Sequence, residues 1–140
     1  MKKVTLSNYK SDTYYPKIVK AFDELLTKQE VICPIDLFIQ LGNLTPSNHK
    51  NWITGKVPYL ERVIAGNLSK FSRILKIIGF HAHDLNMKPC KPNYSPNVRG
   101  TKKKLRYSKI GTQSIEDSYT KAYKWNRKLT YEEWKSEQED

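Results

Sequence analysis

The chain has 140 residues, 38% of them hydrophobic, with 25 Lys and Arg against 14 Asp and Glu for a formal net charge of +11. That length predicts one domain with a modest core, and that charge favours a polyanionic partner: DNA, RNA or an acidic surface. Two cysteines exclude a disulfide framework, and no apolar run approaches the roughly 18 to 20 residues of a membrane span, so a reducing, cytoplasmic setting is expected.

Residues 1–13 are polar. A first helix is predicted over 14–28, where Ile18, Phe22, Leu25 and Leu26 share a face and Pro16 falls in the first turn. A second is predicted over 34–41, with Leu37, Phe38 and Leu41 as its inner edge and Gly42 as its terminator. Thr45 can cap a third and Pro46 can start it. This third helix, 46–54, is polar, and Trp52 and Ile53 are its only large apolar groups. Gly55, Lys56, Val57 and Pro58 then form a turn.

Leu60, Ile64, Leu68, Phe71, Leu75 and Ile78 recur at helical spacing and predict one continuous helix closed by Gly79. Its other face carries Arg62, Lys70, Arg73 and Lys76. Residues 87–112 are rich in Pro and Gly and hold eight basic residues and no acidic one. They read as an irregular basic arm, within which 105–110 alternates like a strand. Ser114 with Asp117 and Thr130 with Glu133 signal two further helix starts in the tail. Ile115, Tyr119, Ala122 and Tyr123 form the stripe of the first. The expected fold is mainly α: a compact four- to five-helix domain over 1–86, a connector over 87–112 and a helical tail over 113–140.

Leu37, Leu41 and Gly42, then Leu44 and Thr45, then Trp52, Gly55, Lys56 and Pro58 resemble the helix-turn-helix of the Cro and λ-repressor-like superfamily. The chain departs from that pattern in a turn one residue longer, in Phe38 where Ala is favoured, and in His49 at a usually aliphatic position. The resemblance implies that the third helix enters the major groove. Residues 55–64 with 81–85 are also similar to a set of small bacterial proteins of unassigned function, which implies a bacterial source but supplies no activity.

With Trp52 and His49 inward, helical geometry turns Ser47, Lys50, Asn51 and Thr54 outward, with Asn48 at the edge. Asn and Lys can bond base edges, whereas a solvated surface helix is the plain reading. Lys56, Arg62, Lys70 and Arg73 are candidate phosphate contacts, and Arg99, Lys102, Lys103, Lys104, Arg106 and Lys109 are candidates in the arm. Tyr94 and Tyr107 could stack on unpaired bases, the form an RNA-binding alternative would take. His81, His83, Asp84 and Cys90 do not have the spacing of a zinc site. No nucleophile with a base, phosphate loop or cofactor motif stands out, so no enzyme is expected. The function expected is DNA binding, as a small transcriptional regulator. The alternatives are RNA binding and a protein–protein adaptor or antitoxin-like partner, in which the long helix or the tail forms the interface or a homodimer.

Overall fold

A computed structural model describes residues 4–92 and 97–138. The fold is mainly α. Six α-helices are present among these residues: α1 (Tyr15–Leu26), α2 (Pro34–Gln40), α3 (Pro46–Ile53), α4 (Leu68–Asp84), α5 (Gln113–Thr120) and α6 (Tyr131–Gln138). Three short strands, β1 (Val31–Ile32), β2 (Lys88–Cys90) and β3 (Ala122–Lys124), form an antiparallel sheet with β3 in the middle. No helix among the described residues is long and apolar enough to cross a membrane.

The first three helices form where periodicity and, for α3, the Thr45 cap place them. Ile18, Phe22, Leu25 and Leu26 of α1 are buried, as are Leu37 and Phe38 of α2. Gly42 closes α2 at φ +84°, a conformation that costs glycine nothing.

The fourth helix differs from expectation. Leu60–Val63 is a short 3₁₀ turn, Ile64 is extended, and Gly66 sits at φ +132°. No right-handed helix passes through that φ. Asn67 then caps α4, its side chain accepting from the Lys70 N–H at 2.9 Å. Leu60 and Ile64 are buried from outside the helix, and Leu68 is 51% exposed in its first turn. The buried stripe of α4 is Phe71, Ile74, Ile77, Ile78, His81 and Ala82.

Gly79 does not close the helix. Its missing Cβ leaves room for the Tyr123 hydroxyl, which would lie 3.3 Å from such an atom. The closing left-handed residue is Asn86, at φ +61°. The Met87 N–H bonds the Ala82 carbonyl and the Asn86 N–H bonds the His83 carbonyl, each at 3.0 Å, which is the Schellman pattern.

The tail also departs from its predicted stripe. Helix α5 stops at Thr120, and Ala122 and Tyr123 belong to the central strand. Thr112, not Ser114, precedes α5 as its cap residue. The second signal holds: the Thr130 N–H bonds the Glu133 carboxylate and the Glu133 N–H bonds the Thr130 hydroxyl, each at 3.2 Å. One hydrophobic cluster takes Phe22, Phe38, Trp52 and Ile74 from the first 86 residues, Leu105 and Tyr107 from the basic stretch, and Tyr119, Trp125 and Tyr131 from the tail. Residues 105–108 are therefore packed, not a loose arm.

Burial at Ile74 and exposure at Leu68 make opposite demands on the same helix. Ile74→Ala should cost about 2 to 5 kcal/mol in urea unfolding, as a large-to-small change in a packed core does. Leu68→Ala should cost under about 0.5 kcal/mol. Equal losses at the two positions would refute this placement of the helix.

Candidate nucleic-acid interface

Helix α3 is held at three points. The Asn48 N–H bonds Thr45 Oγ1 at 3.1 Å, which caps the first turn, and Pro46 occupies N1. Trp52 is buried at the other end, and its indole N–H bonds the Arg106 carbonyl at 2.8 Å. This one anchor fixes which face of a polar helix turns outward. Ser47 and Lys50 are exposed, and Asn51 is half-buried. His49 lies against Trp52, with ring centroids 6.1 Å apart. Burial lowers the His49 pKa and the Arg99 charge adds to that, while Asp36 opposes it.

Two of the expected base-reading side chains are engaged with backbone. The Asn48 amide points to the Val63 carbonyl at 3.5 Å. The Thr54 hydroxyl bonds the Lys50 carbonyl at 2.7 Å. Ser47, Lys50 and Asn51 remain as outward groups, followed by the exposed Lys56 after Gly55.

The basic stretch adds a feature that the sequence did not place. Residues 97–104 fold back as a small hairpin, with an antiparallel bridge between Asn97 and Lys104 and the Val98 N–H bonded to the Lys103 carbonyl at 2.8 Å. The hairpin docks on the end of α3. The Arg99 N–H bonds the Ile53 carbonyl at 2.7 Å, satisfying one of the open carbonyls of the helix end. Val98 packs on Gly55, where a Cβ would meet Val98 Cγ1 at 2.9 Å and where φ is +81°. Arg99, Lys102, Lys103 and Lys104 are all exposed. They join Lys50 and Lys56 on a surface whose two contributing segments, 45–58 and 97–104, contain no acidic residue. The apolar Val98 between polar neighbours and the Gly100 turn were the local signals of this hairpin.

Most of the remaining candidates are occupied within the fold. Arg73 pairs with Asp12. Lys70 Nζ lies 5.6 Å from the Tyr14 ring centroid. Arg62 is exposed on the 3₁₀ turn after Tyr59. Arg106 donates to the Ser108 carbonyl at 3.0 Å and to the Lys109 carbonyl, and packs over Tyr59. Tyr107 is buried between Trp52 and Tyr119, at 5.0 and 6.0 Å, so its ring has no free face for a base. Tyr94 lies outside the described residues.

No group of His, Cys, Asp and Glu that could hold a metal occurs among the described residues. Asp84 accepts from the Tyr9 hydroxyl, which lowers its pKa below the usual carboxylate range, and His83 Nδ1 lies 3.5 Å from its other oxygen. His81 is buried against Phe22 at 4.8 Å and Tyr15 at 6.0 Å, and its Nδ1 has no hydrogen-bond partner. Burial drives its pKa from the ordinary 6.5 down to about 4, against the opposing charges of Asp23 and Asp84. No family model matches the chain, nor does any curated protein or solved structure.

The sign of the His81 effect is fixed by burial. The unfolded chain takes up this proton near 6.5, and the folded chain only near 4. The stabilisation is complete above the unfolded value and is lost as pH falls from 6.5 towards 4. Urea unfolding between pH 7 and pH 4 should show a loss of roughly 3 kcal/mol that His81→Leu removes. His49 acts in the same direction and contributes a smaller remainder. Parallel pH profiles for the wild type and His81→Leu would show that the ring is not buried in its neutral form.

Proposed function

We propose that the protein binds duplex DNA, with α3 in the major groove and the 97–104 hairpin on the adjacent phosphates. The observation that carries this reading is the hairpin's dock on α3. It holds four cations beside a polar helix whose one deeply buried side chain is Trp52. Nucleic acid rewards such a surface, because each neutralised phosphate releases a condensed counterion. Base edges would be met by Ser47, Lys50 and Asn51, and phosphates by Lys56, Arg99, Lys102, Lys103 and Lys104. In this reading the protein is a small bacterial transcriptional regulator acting in the cytoplasm. Burial of Tyr107 counts against the RNA alternative, because one of its two stacking platforms is part of the core.

Base contacts and phosphate contacts separate in titrations on a selected duplex and a scrambled one. Asn51→Ala should lower affinity for the selected duplex by about 1 to 3 kcal/mol and leave the scrambled duplex nearly unchanged. Lys56→Ala should weaken both alike. Changing Lys102, Lys103 and Lys104 together to Gln should flatten the slope of log K against log salt by about 0.9 for each phosphate no longer neutralised. An unchanged slope, with no distinction between the duplexes, would refute the interface.

A further inference from the structure

Away from the basic surface, α4, α5 and the 108–110 turn enclose a half-open cavity of about 370 Å³. That volume falls in the range of small-ligand sites, roughly 300 to 1,000 Å³. Phe71 and Tyr119 line it from the core, each nearly inaccessible to solvent. Leu75 and Ile115 add half-buried apolar wall. Leu68 and Ile110 also line it, and they are two of the three exposed large hydrophobic residues of the described chain, at 51% and 60%. Neither is needed by the core, so the packing of α4 does not explain them.

The polar lining indicates the rest of the ligand. Lys76 and Lys121 line the cavity, and neither has a carboxylate partner among the described residues. Lys121 Nζ lies 6.0 Å from the Tyr123 ring centroid. Glu61 is the one acidic group of the lining, and its two oxygens are occupied by the Tyr119 hydroxyl at 2.6 Å and the Lys109 N–H at 2.9 Å. Two lysines thus line an apolar cavity whose single carboxylate is engaged.

We infer that this cavity binds an anionic amphiphile, a medium-chain carboxylate, with the alkyl chain along Phe71, Leu75 and Ile115 and the head group at Lys76 and Lys121. The site is independent of the nucleic-acid surface, and neither proposal requires the other. Charge complementarity selects this occupant over a neutral or cationic one. The limited volume selects a short chain over a long lipid.

Isothermal titration of the full chain with hexanoate, octanoate and decanoate tests the inference, with octanol as the uncharged control. Saturable one-to-one binding should strengthen about fourfold for each added methylene until the cavity is full. Octanol should bind at least about tenfold more weakly than octanoate, because it cannot form a charge-assisted hydrogen bond with either lysine. Changing Lys76 and Lys121 together to Ala should erase that difference. Ser72→Trp, at an exposed α4 position that lines the cavity, should block binding without disturbing the core. Lack of saturable binding, equal affinity for octanol, or binding unaffected by Ser72→Trp would overturn the inference. So would a concentration-dependent dimer dispersed by Ile110→Glu, which would assign this face to a second copy of the chain.

Discussion

Residues 105–108 hold the molecule together. The Arg106 carbonyl accepts from both the Trp52 indole at 2.8 Å and the Leu60 N–H at 3.1 Å. The Tyr107 carbonyl accepts from the Glu61 N–H at 2.9 Å. The Tyr107 and Ser108 N–H groups donate to the Glu116 carboxylate at 2.9 and 2.8 Å. Four backbone groups of this extended run are thereby satisfied without a partner strand, which favours its burial. The ring of Tyr107 extends the connection through a series of aromatic contacts: Trp52, Tyr107, Tyr119, Phe38 and Phe71. That series links α3, α5, α2 and α4. Without this run, the Trp52 indole loses its hydrogen-bond acceptor, and α5 loses the Glu116 tie that joins it to residues 107 and 108.

The basic hairpin depends on the same run. It leads directly into Leu105, which is buried. It is pinned at its other end by Arg99 on the Ile53 carbonyl and Val98 on Gly55. A cluster of lysines on a free arm would lose conformational entropy on meeting a surface. Here that loss occurs largely on folding, and the cations are presented at a fixed position beside α3. The Gly55 turn therefore has two roles, since it ends the helix and provides the seat for the hairpin.

Local signals were legible and non-local ones were not. Thr45, Pro46, Gly42 and the apolar face of α1 act within a turn of themselves, and each appears as the sequence implies. The run from Leu60 to Ile78 shows where periodicity misleads. Gly66 and Asn67 marked a helix start, but the even spacing of apolar residues concealed it. Leu60 and Ile64 are buried for a different reason: they join the core from a turn whose backbone is tied to Arg106 and Tyr107. Strands of two or three residues leave no pattern, and β3 exists because β1 and β2 flank it. Glu116 carried no local signal of its role, because its carboxylate accepts from the distant Tyr107 and Ser108 N–H groups. The lysines of the hairpin were legible as a charge, but their location beside α3 was not, because it is set by Val98 on Gly55 and by a backbone bond from Arg99 to Ile53.

The acidic residues explain how a charge of +11 becomes a directed surface. Most of them serve as acceptors inside the fold. Asp12 pairs with Arg73, Asp23 with Lys135 and the Tyr131 hydroxyl, and Asp84 with the Tyr9 hydroxyl. Asp36 accepts from the Cys33 N–H, and Glu61 and Glu116 tie down the 105–109 stretch. These bonds fix the carboxylates where the structure needs acceptors, at the joins between α1, α4, α6 and the 105–109 stretch. The cations of α3 and the hairpin carry no such structural duty. An ion pair on that surface would cancel the local field within a few ångströms, and no carboxylate is in sequence there to form one. The separation of structural acids from exposed bases thus borders the polar face of α3 with cations from segments that contain no carboxylate, which net charge alone would not do.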